Sequence, residues 1–358
     1  MFVLTNTLKS GGAEKQSIYL VKTLSSYYDV TLIVYYGNEY DDRMLALLDG
    51  YEAKVIWLKD GHLASLMFLY KLFRRNKGGI VISYLATTNS INAIIGFIAG
   101  IKTRIGGIRS SKHNLFKMII QMTLHNFLLS GSVFNNLVGF HYLTNNGFNT
   151  ERSYYIPNAV DIPNRPLIRS RKEIVTILSI GRFIDVKDYQ TAIKSFQKIK
   201  KQYKTQYSIR YIIIGHGPLE MELRKFIQVC NINDDVELII NPTDVDYYYK
   251  QADIYLSTSL FEGLSNSIME AMSYSLPVVA TDVGDNNELV IHGKTGFLER
   301  VKDVDAITDK IAILIEDREL RVSMGENAYE HISKKFSIEI FSQKYVTLIE
   351  QITNETKT

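Results

Sequence analysis

The sequence predicts an α/β protein of two tandem domains, each built on a parallel, doubly wound sheet. Three observations carry this. The chain has 358 residues, too many for one ordinary core. Strand-length apolar runs alternate with helical patterns twice over, before and after a polar stretch that holds Pro163 and Pro166. Within the runs apolar residues follow one another rather than alternating, which is the pattern of strands covered on both faces.

Taken in order, residues 2–5 read as a short strand and 6–12 as a loop ending in Gly11-Gly12. A helix starts at Ala13, with Ile18, Leu20, Val21 and Leu24 on one face. The opening strand is shorter than the usual roughly five or six residues, which leaves room for a longer natural N-terminus. Strand-like runs follow at 30–35, 53–58, 80–85, 104–108 and 137–143, with helical patterns at 62–75 and 89–100. Ligands of such sheets bind beyond the carboxyl ends of the strands, so loops 6–12, 86–89 and 109–114 are candidates. Residues 154–157 lead into 158–161, and the polar stretch that follows, with Pro163, Pro166 and several arginines, reads as the linker. The second alternation has strands at 174–180, 209–214, 236–240, 254–257 and 277–280, and helices at 188–200, 219–229, 245–251 and 267–274. The tail, 303–352, is helical and amphipathic.

Composition excludes several classes. A single cysteine, Cys230, allows no internal disulfide and points to a reducing, cytoplasmic setting. The start of the chain has neither the basic flank nor the apolar core of a signal peptide. The longest apolar run, near 91–101, is too short to span a bilayer, so the expectation is a soluble or at most peripheral protein. The formal net charge of +3 hides an asymmetry. Residues 61–150 contain no Asp or Glu, while Lys71, Arg74, Arg75, Lys77, Lys102, Arg104, Arg109, Lys112 and Lys117 accumulate. That imbalance points to an anionic partner: nucleic acid, a membrane surface or a phosphorylated substrate. A solvated basic face is the other reading. No nucleic-acid signature accompanies the charge, which disfavours the first option.

The candidate site centres on 257–283, a strand end, a polar loop, a helix start and a second strand. Glu262 falls in the loop and Glu270 about one turn inside the helix. Between them Gly263, Leu264 and Ser265 can present backbone N–H groups to a phosphate. Two carboxylates beside a phosphate cradle should face neutral hydroxyls, and a nucleotide sugar offers both. A capped helix with surface glutamates is the plainer alternative. Gly181-Arg182 and Lys187 follow the first strand of this half, where two cations can clamp a diphosphate. Gly215 and Gly217 form a tight turn after the second strand, and Gly12 belongs to a similar strand–glycine–helix arrangement at the start. Asp244-Val245-Asp246 and Asp303-Val304-Asp305 imitate a metal-binding pattern, but each precedes an amphipathic helix and reads better as an N-cap.

GR-x4-K at 181–187, GHGPLEMELR, FEGLSNSIMEAMSYSLPVVATDVGDNNELV and GKTGFL together resemble the retaining glycosyltransferases of family 4, with the GT-B fold. GGAEKQ and IPNAVD look like patterns of the same family. The resemblance implies two Rossmann-like domains facing across a cleft, 1–161 for the acceptor and 162–337 for the nucleotide sugar, with 338–358 packing back on the first. It implies transfer of a hexose or N-acetylhexosamine from a nucleotide diphosphate sugar, UDP by preference and GDP second, with retention and with no cofactor or metal. By position Glu262 would meet the donor hexose, Glu270 the ribose, Arg182 and Lys187 the diphosphate, and His113 the donor sugar, with Arg109 beside it. The acceptor would be a saccharide, lipid-linked at the inner face of an anionic membrane, in polysaccharide or O-antigen assembly. Arg74, Arg75, Lys77 and Arg109 would lie on that side. A non-catalytic partner subunit and a GT-B epimerase or phosphorylase remain the alternatives. One departure stands out: Asn241-Pro242 occupies a loop where relatives often carry glycine.

Overall fold

In the computed structural model, residues 1–9, 11–50, 53–59, 61–109, 115–169, 173–203 and 207–355 are described. The chain divides into two compact units, Met1–Ala159 with Ile338–Thr358, and Val160–Ser337.

Among the described residues, the first unit holds a seven-stranded sheet of order β3-β2-β1-β4-β5-β6-β7, parallel throughout. Its strands are β1 (Phe2–Thr5), β2 (Thr31–Val34), β3 (Lys54–Trp57), β4 (Ile80–Tyr84), β5 (Thr103–Ile108), β6 (Gly131–Phe134) and β7 (Ser153–Tyr155). Alternate residues of β1 point to opposite faces, so Val3 joins one core and Phe2 and Leu4 the other. The Gly12–Leu24 helix and the C-terminal Ile338–Glu355 helix cover the Val3 face, the latter burying Phe341, Tyr345, Leu348, Ile349 and Ile352. The His62–Arg75 helix covers the other face with Leu69 and Phe73.

Two expectations for this unit are corrected. Residues 137–143 are not a strand but the Leu137–Thr144 helix, started by Asn136, whose side chain accepts from the Gly139 N–H at 2.6 Å. A short apolar run does not reveal its period, and the strand place is filled by Gly131–Phe134, whose Gly-Ser start is a poor strand signal. Residues 153–155, expected to lead into a linker, pair with β6 as the edge strand β7.

The second unit, again among the described residues, has a six-stranded parallel sheet of order β10-β9-β8-β11-β12-β13. Its strands are β8 (Ile174–Ile180), β9 (Ser208–Gly215), β10 (Val236–Ile240), β11 (Ile254–Ser257), β12 (Val278–Thr281) and β13 (Gly296–Glu299). β13 begins within GKTGFL and ends one residue past it, and is a strand that the sequence reading misses. The order runs outward in both directions from the β8–β11 pair, so the connections diverge at the carboxyl ends of these two strands. That divergence opens the crevice in which doubly wound sheets bind ligands.

Candidate active site

The carboxyl ends of β8 and β11 bring the opposite charges of the motif together. After β8 the chain turns through Gly181 and Arg182 into a short 3-10 segment, Asp185–Lys187. Asp188, with φ of 44°, ends it in a left-handed conformation, and its carboxylate accepts from the Thr191 hydroxyl at 2.7 Å. The loop after β11 is fastened to this segment from both sides. Thr258 Oγ1 donates to the Asp188 carbonyl at 2.8 Å, and the Leu260 N–H donates to the Val186 carbonyl at 2.8 Å. From β12, Thr281 Oγ1 donates to the Ser259 carbonyl at 2.6 Å.

Held in this way, Lys187 Nζ lies 2.5 Å from Glu262 Oε1, and the Ser259 hydroxyl donates to the same oxygen at 2.6 Å. The side chains are 20% and 13% exposed for Lys187 and Glu262, so the pair is partly shielded yet open to a ligand. Arg182 is exposed, and its guanidinium meets no partner among the described residues.

Glycines set the backbone spacing around the pair. A Cβ on Gly215 would stand 2.0 Å from the Gly181 carbonyl oxygen, and one on Gly217 would stand 2.5 Å from that of Phe183. Both glycines therefore seat the Gly181–Phe183 turn. At Gly284 φ is 58° and a Cβ would lie 2.2 Å from the Glu262 carbonyl oxygen, while the Asp285 N–H donates to the Gly263 carbonyl at 3.0 Å. Gly284→Ala is expected to cost about 1–3 kcal/mol by overpacking and left-handed strain. A urea melt of the variant checks this; an unchanged midpoint would contradict the close approach.

Glu270 sits in the Asn266–Ser273 helix, with Leu264 and Ser265 buried just before it. Ser265 takes the N-cap position, and among the described residues its hydroxyl lies 3.3 Å from that of Ser267 instead of capping the helix N–H groups. Tyr249 Oη donates to Glu270 Oε2 at 3.0 Å, and its ring stacks on Tyr274 at 5.4 Å. Burial, and then the Glu270 carboxylate, hold the Tyr249 phenol well above its usual range, so it remains a donor. Ser259 and Tyr249 are the residues that sequence reasoning missed. Ser259 lies three positions before Glu262, but Tyr249 stands 21 residues before Glu270 and reads only as part of an amphipathic helix.

The aspartates of the two metal-like patterns cap helices. Asp244 accepts from the Tyr247 N–H at 3.0 Å, and Asp303 from the Ala306 N–H at 3.0 Å. Asn241, in the loop where the resemblance implies a glycine, has φ of 45°. Asparagine tolerates the left-handed region better than most residues, so the departure preserves the local backbone.

In the first unit the expected residues scatter. Gly12 opens its helix, and Glu14 folds back so that a Cβ on Gly11 would meet its carboxylate. Arg74 and Arg75 end the His62–Arg75 helix, exposed, with Lys77 just beyond, at the edge where β4 begins. Arg109 does not join them. It follows the carboxyl end of β5, at the opposite edge, where its guanidinium lies 4.3 Å over the Tyr84 ring and donates to Asn158 Oδ1 at 2.7 Å. His113 lies outside the described residues.

Residues 163–331, nearly all of the second unit, match the family model described as glycosyl transferases group 1. N-acetyl-alpha-D-glucosaminyl L-malate synthase of Bacillus anthracis is 27% identical over 59% of this chain, and the chain spans about half that relative's length, 54%. The capsular polysaccharide biosynthesis glycosyltransferase CapM of Staphylococcus aureus is 23% identical over 88% of this chain and 90% of its own. Among solved structures, Anabaena Alr3699/HepE in complex with UDP superposes with a TM-score of 0.83 at 19% identity, covering 98% of this chain and 99% of that one. The shared fold therefore extends over both units, while the family model is carried by the second. Residues 163–331 are thus the part of the chain that matches the glycosyl transferases group 1 model.

Proposed function

We propose that this chain transfers a hexose or N-acetylhexosamine from a nucleoside diphosphate sugar, with UDP favoured, to a saccharide acceptor in polysaccharide assembly. The observation that carries the reading is the meeting of Lys187 with Glu262 at the β8–β11 divergence, with Arg182 exposed nearby in sequence and Glu270 on the following helix. The UDP named with the Anabaena structure and the capsular role named for CapM support it.

In this reading Arg182 and Lys187 hold the diphosphate and stabilise the charge that grows on it as the sugar–phosphate bond breaks. Glu262 accepts from hydroxyls of the donor sugar, and Glu270, oriented by Tyr249, accepts from those of the ribose. The reaction retains the anomeric configuration: the acceptor hydroxyl attacks from the face that the phosphate leaves. Its proton passes to the departing phosphate oxygen, so a new sugar–oxygen bond replaces the old one and no separate nucleophile is required. Charge neutralisation is assigned to the two cations rather than to a metal ion. The acceptor is assigned as lipid-linked, at the inner face of the membrane, on the side of Arg74, Arg75 and Lys77.

Thermal-shift titration with UDP, GDP, ADP and their sugars, with and without chelator, tests the donor side. A diphosphate at about a hundred times its dissociation constant should stabilise the protein by ~2.7 kcal/mol. Selective stabilisation by one nucleotide identifies the base. No response to any of them returns the chain to the non-catalytic reading, and loss of the response with chelator overturns the metal-free assignment.

A further inference from the structure

We propose that the outward faces of three helices of the first unit form a docking surface for an anionic lipid bilayer. The His62–Arg75 helix, the continuous turns from Ala86 through a π segment (Asn92–Gly96) to Phe97–Ala99, and the Leu115–Phe127 helix lie side by side on one face of the first sheet. Each buries its inward residues: Leu69 and Phe73, then Ile91, Ala93 and Ala99, then Leu124. Each is also apolar on the outside. Leu63 is 74% exposed and Met67 follows one turn later; Phe97 is 55% exposed, with Ile98 beside it.

The Leu115–Phe127 helix makes the case most sharply. Phe116, Ile120, Thr123 and Phe127 fall at helical positions i, i+4, i+7 and i+11 and form one outward stripe. Phe116 and Phe127 are 72% and 75% exposed. The opposite stripe, with Gln121, Leu124 and His125, is buried. A surface helix of a soluble domain carries its polar residues where this one carries phenylalanine and isoleucine.

The charge around these rings selects the occupant. Lys71, Arg74, Arg75, Lys77 and Lys102 are exposed around the same helices, and no Asp or Glu occurs from 61 to 150. Arg104 plays a different part: it donates to the carbonyls of Leu128 and Ile101, and its guanidinium stands 5.4 Å over the Phe97 ring, which braces the apolar edge. Apolar side chains ringed mainly by cations, with Glu151 and Glu355 at the Phe127–Lys102 edge, match the boundary of phosphate headgroups and acyl chains. A second copy of the same face would set cations against cations. Among the described residues no helix is long and apolar enough to cross a membrane, so the contact is with the surface. The surface supplies a place for the lipid-linked acceptor and rests on the transfer reading only for that use.

Sedimentation of the full chain with vesicles, without nucleotide, tests this. At low salt the chain should sediment with an equal mixture of phosphatidylcholine and phosphatidylglycerol, and at least ~tenfold more weakly with phosphatidylcholine alone. The F116S/F127S and R74E/R75E/K77E variants change exposed positions; each should keep the wild-type melting profile and lose vesicle binding about tenfold or more. Equal binding to both vesicle types, no binding to either, or unchanged binding by both variants overturns the proposal. So does a dimer in vesicle-free buffer that F116S/F127S dissolves, because a second copy would then cover the face. Vesicle binding by a chain that ignores every nucleotide would sustain the docking surface while sinking the transfer reading.

Discussion

Alanine at Lys187 is expected to slow sugar transfer by about 10²–10³-fold while leaving the fold intact. The lysine pairs with Glu262 at 2.5 Å and is assigned to the diphosphate. Charge on the leaving phosphate grows only as the bond breaks, so its loss should lower kcat and kcat/KM together. Glu262→Ala should be as damaging for a second reason: it leaves a partly buried ammonium without its carboxylate. Because the two side chains share one contact, their effects should not add, and the double variant should lose less than the sum. Lys187→Arg should not fully restore the rate, since a planar fork replaces the compact charge that meets Glu262 Oε1. Single-turnover rates of the three alanine variants decide the matter. A Lys187→Ala enzyme within about threefold of wild type would refute the assignment.

The second large effect is on donor binding. Glu270→Ala removes a charged acceptor assigned to the ribose, an interaction of about 1.5–3 kcal/mol, and should weaken nucleotide binding roughly 10–100-fold. At a nucleotide concentration that stabilises the wild type by ~2.7 kcal/mol, the variant should keep only ~0.4–1.4 kcal/mol. Tyr249→Phe should move in the same direction by a smaller step. It keeps the stacked ring but leaves Glu270 Oε2 without the phenolic donor at 3.0 Å. An unchanged response in Glu270→Ala would place the nucleotide elsewhere. A full response in Tyr249→Phe would make the tyrosine a packing residue alone.

The pattern of strands and helices was largely legible because doubly wound sheets repeat. Consecutive apolar runs marked β8, β9 and β11, and polar loops at their carboxyl ends marked the edge where Arg182, Lys187, Glu262 and Glu270 stand. The misjudged elements were short. Leu137–Thr144 is apolar enough for either state, and its identity depends on Asn136 capping a helix, an interaction that spacing alone does not rank above a strand.

The sequence by itself determined the fold class, the residue types at the second unit's strand ends, and the absence of acid from 61 to 150. These follow from local rules: period, turn chemistry and charge. Tertiary structure alone decided which charges meet. Lys187 and Glu262 are 75 positions apart, Tyr249 and Glu270 are 21 apart, and Arg109 is separated from Arg74 and Arg75 by the length of a sheet strand. It also decided that Phe116 and Phe127 face outward. A helix with apolar residues on both sides carries no mark in its sequence of which side the core will take, and the neighbouring π segment makes that choice by burying Leu124 against Ala93.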